Sequence, residues 1–176
     1  MRKVIIYTNP DQDKKLESYL SDHKQQQDIN VFDLDKMNLK YCTGCWSCWW
    51  KTPGQCAIND GIADIYKAMI HSDRIIYVAP LILGGICSSL KTLIERQIPL
   101  VHPYITIVKK ETHHKKRYKK YPSIAAYLGV EGDTDEEDKE INRIYFNRLA
   151  LNFYSRVDFV QFSDEVKEVS HELFSY

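Results

Sequence analysis

Five short runs along the chain are apolar at most positions and rich in β-branched or aromatic residues: KVIIYT (Lys3 to Thr8), INVFDL (Ile29 to Leu34), RIIYVAP (Arg74 to Pro80), SIAAYLGV (Ser123 to Val130) and VDFVQF (Val157 to Phe162). Each is too short for a helix of ordinary length and reads as a strand. Between them lie segments of helical period. Asp11 to about Gln26 places Leu16, Tyr19 and Leu20 on one side. A segment capped by Asn59 or Asp60 and running to Ile70 places Ile62, Ile65, Tyr66 and Met69 together. Gly84 to Glu95 turns Ile86, Leu90, Leu93 and Ile94 inward, and Asp133 or Thr134 to about Tyr154 does the same with Ile141, Ile144, Tyr145 and Leu149. A last short helix, DEVKEVSHELF, follows the fifth run. Nearly continuous apolar strands alternating with helices predict an α/β three-layer sandwich around a five-stranded parallel sheet. The expected strand order is 2-1-3-4-5, with ligands bound in the crevice beyond the carboxyl ends of strands 1 and 3. Pro99 to Lys120, containing YITIV and then HHKKRYKK, fits none of these units and reads as a hairpin or extended arm.

A length of 176 residues suits one domain, taken here as 1–176. Lysine plus arginine and aspartate plus glutamate number 24 each, which argues against a nucleic-acid scaffold or a basic membrane binder. HHKKRYKK alone is a solvated arm on that reading, with Arg117 or Lys119 left as a point that could steer a ligand phosphate. The start, Met1-Arg2-Lys3 and then four apolar residues, does not read as a secretory signal, and no apolar run is long enough to span a bilayer. A cytoplasmic, reducing setting is expected, in which clustered thiols are ligands or redox groups more often than disulfides.

Four of the five cysteines fall within YCTGCWSCWWKTPGQC, Tyr41 to Cys56, with all three tryptophans among them. Cys42, Cys45, Cys48 and Cys56 can hold an iron–sulfur cluster or a zinc ion, or stay free, with Cys45 and Cys48 able to cycle as a C-x-x-C pair. Cys87 reads as a small core residue. Trp46, Trp49 and Trp50 either anchor the loop or serve a ring or an interface. The loop follows strand 2 and is expected over the same carboxyl edge as the crevice.

Topology alone makes Thr8-Asn9-Pro10 and the stretch from Pro80 to Gly85 candidate ligand loops. Leu81, Ile82 and Leu83 are apolar where an exposed loop is expected, so they either pack beneath the cysteine segment or form a wall for a flat ring. Gly84 and Gly85 permit close backbone approach. The two motifs together, C-x-G-C-x-x-C…G-x-C…D and P-l-i-l-G-G-i-c-S-s-L-K-t-l-I-E-R, resemble the NADPH-dependent FMN reductase and iron–sulfur flavoprotein group, of flavodoxin-like fold. The matching residues are Cys42, Gly44, Cys45, Cys48, Gly54, Cys56, Asp60, Pro80, Gly84, Gly85, Ser88, Leu90, Lys91, Glu95 and Arg96. The resemblance implies a loop after strand 3 lying against the isoalloxazine ring, and a homodimer or homotetramer whose subunits complete each other's flavin sites. It gives the candidate cofactor-binding set Thr8, Asn9, Pro80, Leu81, Ile82, Leu83, Gly84 and Gly85.

The chain departs from that group after strand 1. A Ser/Thr- and Gly-rich phosphate loop is replaced by TNPDQDKK, where Asp11 and Asp13 would oppose a phosphate and Lys14 and Lys15 would offset them. The expected activity is FMN-dependent oxidoreduction. NAD(P)H would be the donor, and a quinone, a flavin or another small molecule the acceptor. Two alternatives stand beside it: an iron–sulfur flavoprotein that carries single electrons, and a non-enzymatic module that has lost FMN. No acid–base residue stands out.

Overall fold

A computed structural model describes residues 1–9, 18, 20, 28–130 and 132–163. Five parallel strands form the central sheet: β1 (Lys3–Tyr7), β2 (Ile29–Asp33), β3 (Arg74–Ile82), β7 (Ser123–Gly129) and β8 (Val157–Ser163). They lie in the order β2-β1-β3-β7-β8, which, counted along the parallel strands alone, is the expected 2-1-3-4-5. A short strand β4 (Gly85–Ile86) folds back antiparallel on the end of β3. A separate hairpin, β5 (Val101–Val108) and β6 (Glu111–Lys116), is the predicted excursion.

Strand alternation divides the core in two, because successive side chains leave opposite faces of a sheet. Val4, Ile6, Ile75, Tyr77, Ala79, Ile124 and Ala126 pack on one face beneath α3 (Ile62–Ile70), α4 (Ser88–Glu95) and α5 (Glu136–Asn152). Ile5, Tyr7, Ile76, Val78, Ala125 and Tyr127 pack on the other with Leu20, which is helical. The rest of the expected first helix, including Leu16 and Tyr19, and the closing helix lie outside the described residues, as do Pro10, Asp11, Asp13, Lys14 and Lys15. Two four-residue helices, α1 (Leu34–Met37) and α2 (Ser47–Trp50), punctuate the segment between β2 and α3. Among the described residues no helix is long and apolar enough to cross a membrane.

Two element readings need correction. The helix expected from Gly84 begins only at Ser88, because Leu81 pairs with Ile86 and Ile82 with Gly85, extending β3 beyond Pro80 into a hairpin. In α5, Ile141 and Ile144 are 54% and 52% exposed, whereas Asn142, Phe146, Leu149 and Ala150 face the sheet. The apolar stripe alone put the isoleucines inside. The helix is instead rotated so that the Asn142 amide reaches the Gly84 carbonyl at 2.8 Å and the Asp138 carbonyl at 2.8 Å. The acidic start of α5 is a capping box: Asp135 accepts from the Asp138 amide and Asp138 reaches back to the Asp135 amide.

Candidate functional site

At the carboxyl edge, Thr8 continues the ladder by donating its amide to the Val78 carbonyl at 3.0 Å. Its buried hydroxyl lies 3.5 Å from Cys87 Sγ, so Cys87 sits at the start of α4 against the core. The Asn9 amide donates to Asp35 Oδ2 at 2.6 Å, and the Ser89 hydroxyl donates to Asp35 Oδ1 at 3.4 Å. Asp35 is held there by local structure. Asp33 caps α1 by accepting the amides of Asp35 and Lys36, and Tyr7 donates its hydroxyl to the other Asp33 oxygen at 3.0 Å. Burial alone would raise the Asp33 carboxyl; hydrogen bonds from Lys36 and Tyr7 outweigh it and hold the group below the usual carboxylate range. A cavity of about 240 Å³ opens beside this array, between α1 and α4, with Asn38, Tyr41 and Ser88 among its walls. The Asn9 amide and the Ser89 hydroxyl therefore already converge on an anionic group, and that group belongs to the chain itself.

The glycine turn is a two-residue reversal. Leu83 and Gly84 both take positive φ, 50° and 74°, as the tight hairpin turn between β3 and β4 requires. Leu81 is fully buried in the core and Pro80 is half-buried, so only Ile82 and Leu83 project outward, Leu83 at 88% exposure. The close approach that Gly84 permits is made by Asp138 of the same chain: a Cβ at Gly84 would overlap its carboxylate. At Gly85 a Cβ would meet only the Ile82 carbonyl at an ordinary 3.9 Å. Ile82, Leu83 and Gly85 thus present an apolar rim beside Thr8 and Asn9, with Gly84 tied to α5.

The cysteine segment does not hang over this edge. It runs down the outside of α4 to the far end, because Arg96 holds it there. Arg96 is 1% exposed and donates to Asp60 at 2.5 and 3.0 Å, to the Lys40 carbonyl at 2.7 Å and to Cys56 Sγ at 3.3 Å. Tyr66 donates its hydroxyl to the Arg96 carbonyl. Burial would raise the Asp60 carboxyl, but hydrogen bonds from Arg96 and the Lys40 amide dominate and lower it. Trp49 fixes the other side of the segment, donating its indole N–H to the carbonyls of Ile98 and Val101, both at 3.1 Å. Trp46 packs edge-on against it at 5.4 Å, while Trp46 and Trp50 remain largely exposed.

Cys42, Cys45, Cys48 and Cys56 line one cavity of about 20 Å³ with Arg96 as a wall. None forms a disulfide; Cys42 and Cys45 are exposed, Cys56 is half-buried and Cys48 is buried. The Ser47 amide, then the Ser47 and Thr43 hydroxyls, lower the Cys45 thiol. Burial raises Cys48, and negative charge on Cys56, Cys45 and Cys42 raises it further. Thiolates crowded in this way favour a soft cation. Among the described residues no three cysteine, histidine or carboxylate donors are close enough for a single metal ion, which a tetrahedral zinc would need. Four thiols are the donor type that iron–sulfur groups use, and Cys42 and Cys45 are the exposed members of the set.

Lys115, Lys116, Lys119 and Lys120 of the basic arm are exposed, as a solvated arm requires, while its other residues serve the structure. His113 is buried and hydrogen-bonded to Asn152 Oδ1 at 2.9 Å. Arg117 is committed to the carbonyls of Pro99 at 2.9 Å and Val101 at 3.3 Å, at the end of the sheet away from the glycine turn. Two residues of the site escaped the sequence reading. Asp35 carried no pattern of its own, and Arg96 was matched as part of a motif without a partner. A capping Asp33 followed by a second carboxylate, and the Asp60/Arg96 pair bracketing the cysteines, were the signals available.

No family model matches the chain. It is 26% identical over 82% of its length to an iron–sulfur flavoprotein of Archaeoglobus fulgidus, covering 62% of that protein. Over 42% of its length it is 40% identical to an iron–sulfur flavoprotein of Methanocaldococcus jannaschii, covering 37% of it. The chain thus spans less than two thirds of the length of these curated relatives. Among solved structures, an FMN-dependent NADH-azoreductase of Bacillus anthracis in complex with FMN superposes with a TM-score of 0.55 at 15% identity, over 92% of this chain and 85% of that one. In sequence the chain is similar to the iron–sulfur flavoproteins, and in fold it is flavodoxin-like.

Proposed function

We propose that the chain is an FMN-dependent oxidoreductase, taking electrons from NAD(P)H and passing them to a quinone, a flavin or another small acceptor. The observation that carries this reading is the pairing of polar donors at Asn9 and Ser89 with the outward apolar turn Ile82–Leu83, at the carboxyl edge of a flavodoxin-like sheet. FMN, when bound, supplies the hydride and electron chemistry. The protein's part is to hold and shield it. The Asn9 amide and Ser89 hydroxyl offer hydrogen bonds to a phosphate once Asp35 turns away. Pro80, Ile82 and Leu83 exclude water from one side of a ring, and Gly85 leaves its backbone open to approach. Titrating the purified protein with FMN and following flavin absorbance, then NAD(P)H oxidation, tests the proposal. A protein that takes up no flavin returns the reading to a non-enzymatic module.

The four-thiolate cavity favours a second component. Cys42, Cys45, Cys48 and Cys56 would hold an iron–sulfur cluster, which supplies single-electron transfer. Arg96, donating to Cys56 Sγ, stabilises negative charge on the sulfur and keeps the segment shaped. The cavity and the glycine turn flank opposite ends of α4, eight residues or roughly 12 Å long, so the two sites do not touch within one chain. Anaerobic purification with assay of iron and acid-labile sulfide separates this reading from a flavin-only protein. A homodimer or homotetramer in a reducing, cytoplasmic setting completes the proposal, with the exposed apolar residues of α5 and the glycine turn as contact surface.

A further inference from the structure

The charges of this chain balance in number but not in place. From Val101 to Lys120, the β5–β6 hairpin and the residues just after it, seven basic side chains stand with one acid, Glu111. From Asp133 to Ile141, at the start of α5, six acids stand with one lysine. The acidic turns run into an exposed stripe: Glu137, Ile141, Ile144 and Arg148 recur at the three- and four-residue spacing of one helix face, and all four are exposed. The hairpin is fastened to the other end of the same helix. His113 bonds to Asn152 at 2.9 Å, and Arg148 donates to Glu111 at 2.5 Å, so the hairpin turn Lys109-Lys110 lies toward the middle of α5. Both turn residues are exposed and take positive φ, 51° and 68°. Asn-Gly suits such a turn best, so two lysines there give up turn propensity for charge.

Within one chain these charges stay apart. Glu137 precedes Arg148 by eleven residues, roughly 16 Å along the helix, and among the described residues no ion pair joins Lys109 or Lys110 to a carboxylate of α5. A second copy brings them together. α5 spans Glu136–Asn152, so its midpoint is Ile144, inside the exposed stripe. Two copies of the helix packed antiparallel about a two-fold axis at Ile144 cover Ile141 and Ile144 and set position 148 of one copy opposite position 140 of the other. The basic hairpin end of each then faces the acidic start of the other, twice over, as a two-fold contact requires. An anionic lipid or a nucleic acid would answer the lysines but leave the acidic, apolar stripe uncovered; a second copy answers both. We propose that the chain forms a two-fold dimer in which α5 packs antiparallel on its copy at Ile144 and the Lys109-Lys110 turn of each chain docks on Glu137 and Glu140 of the partner subunit. Asp138 lies in the same acidic turns and against Gly84, so each hairpin turn comes to flank the other copy's glycine turn and its ligand edge. The inference rests on the oligomer proposed above and names its contact; it does not depend on flavin or iron binding.

The test is sedimentation velocity of the full chain in reducing buffer, with folding followed by circular dichroism. Wild type should sediment as a dimer that loosens as salt is added. Two charge-reversed double variants, Lys109→Glu/Lys110→Glu and Glu137→Lys/Glu140→Lys, each set like charges opposite one another and should each weaken the dimer about tenfold or more. An equimolar mixture of the two should re-form a dimer close to wild-type affinity, because in the mixed pair both contacts again join opposite charges. The proposal is overturned if the mixture associates no better than either variant alone, or if either folded variant keeps wild-type affinity. Should Glu137→Lys/Glu140→Lys fail to fold, undiminished affinity in Lys109→Glu/Lys110→Glu, altered only at an exposed turn, overturns it. Co-sedimentation of wild type with phosphatidylglycerol vesicles, lost in Lys109→Glu/Lys110→Glu, assigns the turn to a lipid surface and overturns it too. A wild-type monomer ends both this inference and the oligomer on which it rests; a wild-type dimer with unaffected variants ends this inference alone.

Discussion

Gly84 shows how one residue can be misassigned from sequence while its importance is correctly sensed. A glycine pair in a ligand loop suggests space left for a ligand, yet the space at Gly84 is taken by the Asp138 carboxylate. Gly84→Ala should therefore destabilise the fold by about 1–2 kcal/mol, combining a side chain at positive φ with a disturbed capping box, while Gly85→Ala costs less. Urea unfolding of the two variants checks this. Asp35 is the complementary case. If its carboxylate occupies donors meant for a phosphate, Asp35→Asn should tighten FMN binding about tenfold, since a like charge near a phosphate costs on the order of 1 kcal/mol or more. Weaker binding by the variant, in the same fluorescence titration as wild type, would make Asp35 a ligand-supporting residue instead. Asp60 carries the third residue-scale prediction. Asp60→Asn leaves Arg96 buried with its charge uncompensated, and should cost about 3–5 kcal/mol. Because Asp60 titrates below its ordinary value of 3.8 in the folded chain, the unfolded chain binds more protons as the pH drops. The stability it contributes is complete above about pH 4 and is lost as the pH falls through the folded value. Unfolding midpoints between pH 3 and 6 should show that acid-sensitive component in wild type and not in Asp60→Asn.

Among the elements, the segment from Tyr41 to Cys56 has little regular structure of its own, only the four residues of α2. Its shape comes from Arg96 and Trp49, both of which bond to backbone carbonyls distant in sequence. The thiolates should therefore lose their arrangement when an anchor is removed, even with all four cysteines intact. Anaerobic reconstitution with iron and sulfide should give a broad visible absorbance in wild type, strongly reduced by Cys48→Ala and by Trp49→Ala. Wild type that takes up no iron would remove the cluster from the proposal. The other elements were legible to different degrees. β1, β3 and β7 stand almost where their apolar runs placed them, because a strand buried on both faces needs apolar residues at nearly every position. α5 turns Leu149 and Tyr145 toward the core as expected but leaves Ile141 and Ile144 outside, since the bond from Asn142 to the Gly84 carbonyl is a contact between elements and leaves no periodic trace.

At the scale of the whole molecule, a chain with balanced charge exposes several large apolar residues among those described, and two groups of them stand out. One comprises Ile141 and Ile144 on α5 with Ile82 and Leu83 at the glycine turn; the other is Tyr104, Ile105 and Ile107 on β5. Exposed apolar clusters of this kind mark association surfaces. The chain should run as a dimer or tetramer in light-scattering chromatography, and Ile144→Glu should shift it toward a smaller species without altering its circular dichroism. A wild-type monomer would end the proposal that subunits complete each other's sites.

By itself the sequence determined the layers of this protein. Apolar runs of strand length, separated by helical periods, admit little besides a parallel sheet covered on both sides, and a sheet wound in this order has its crevice at the carboxyl edge. It also determined which residues could carry chemistry, through the cysteine spacing and the loop after β3. Only the tertiary structure decided where those residues go. Asp35 reaches the first loop, Arg96 draws the thiolates to the opposite end of α4, and His113 fastens the hairpin to the end of α5. Periodicity records how a segment meets water and core, one segment at a time; a hydrogen bond between side chains tens of residues apart exists only once the core has brought their backbones together.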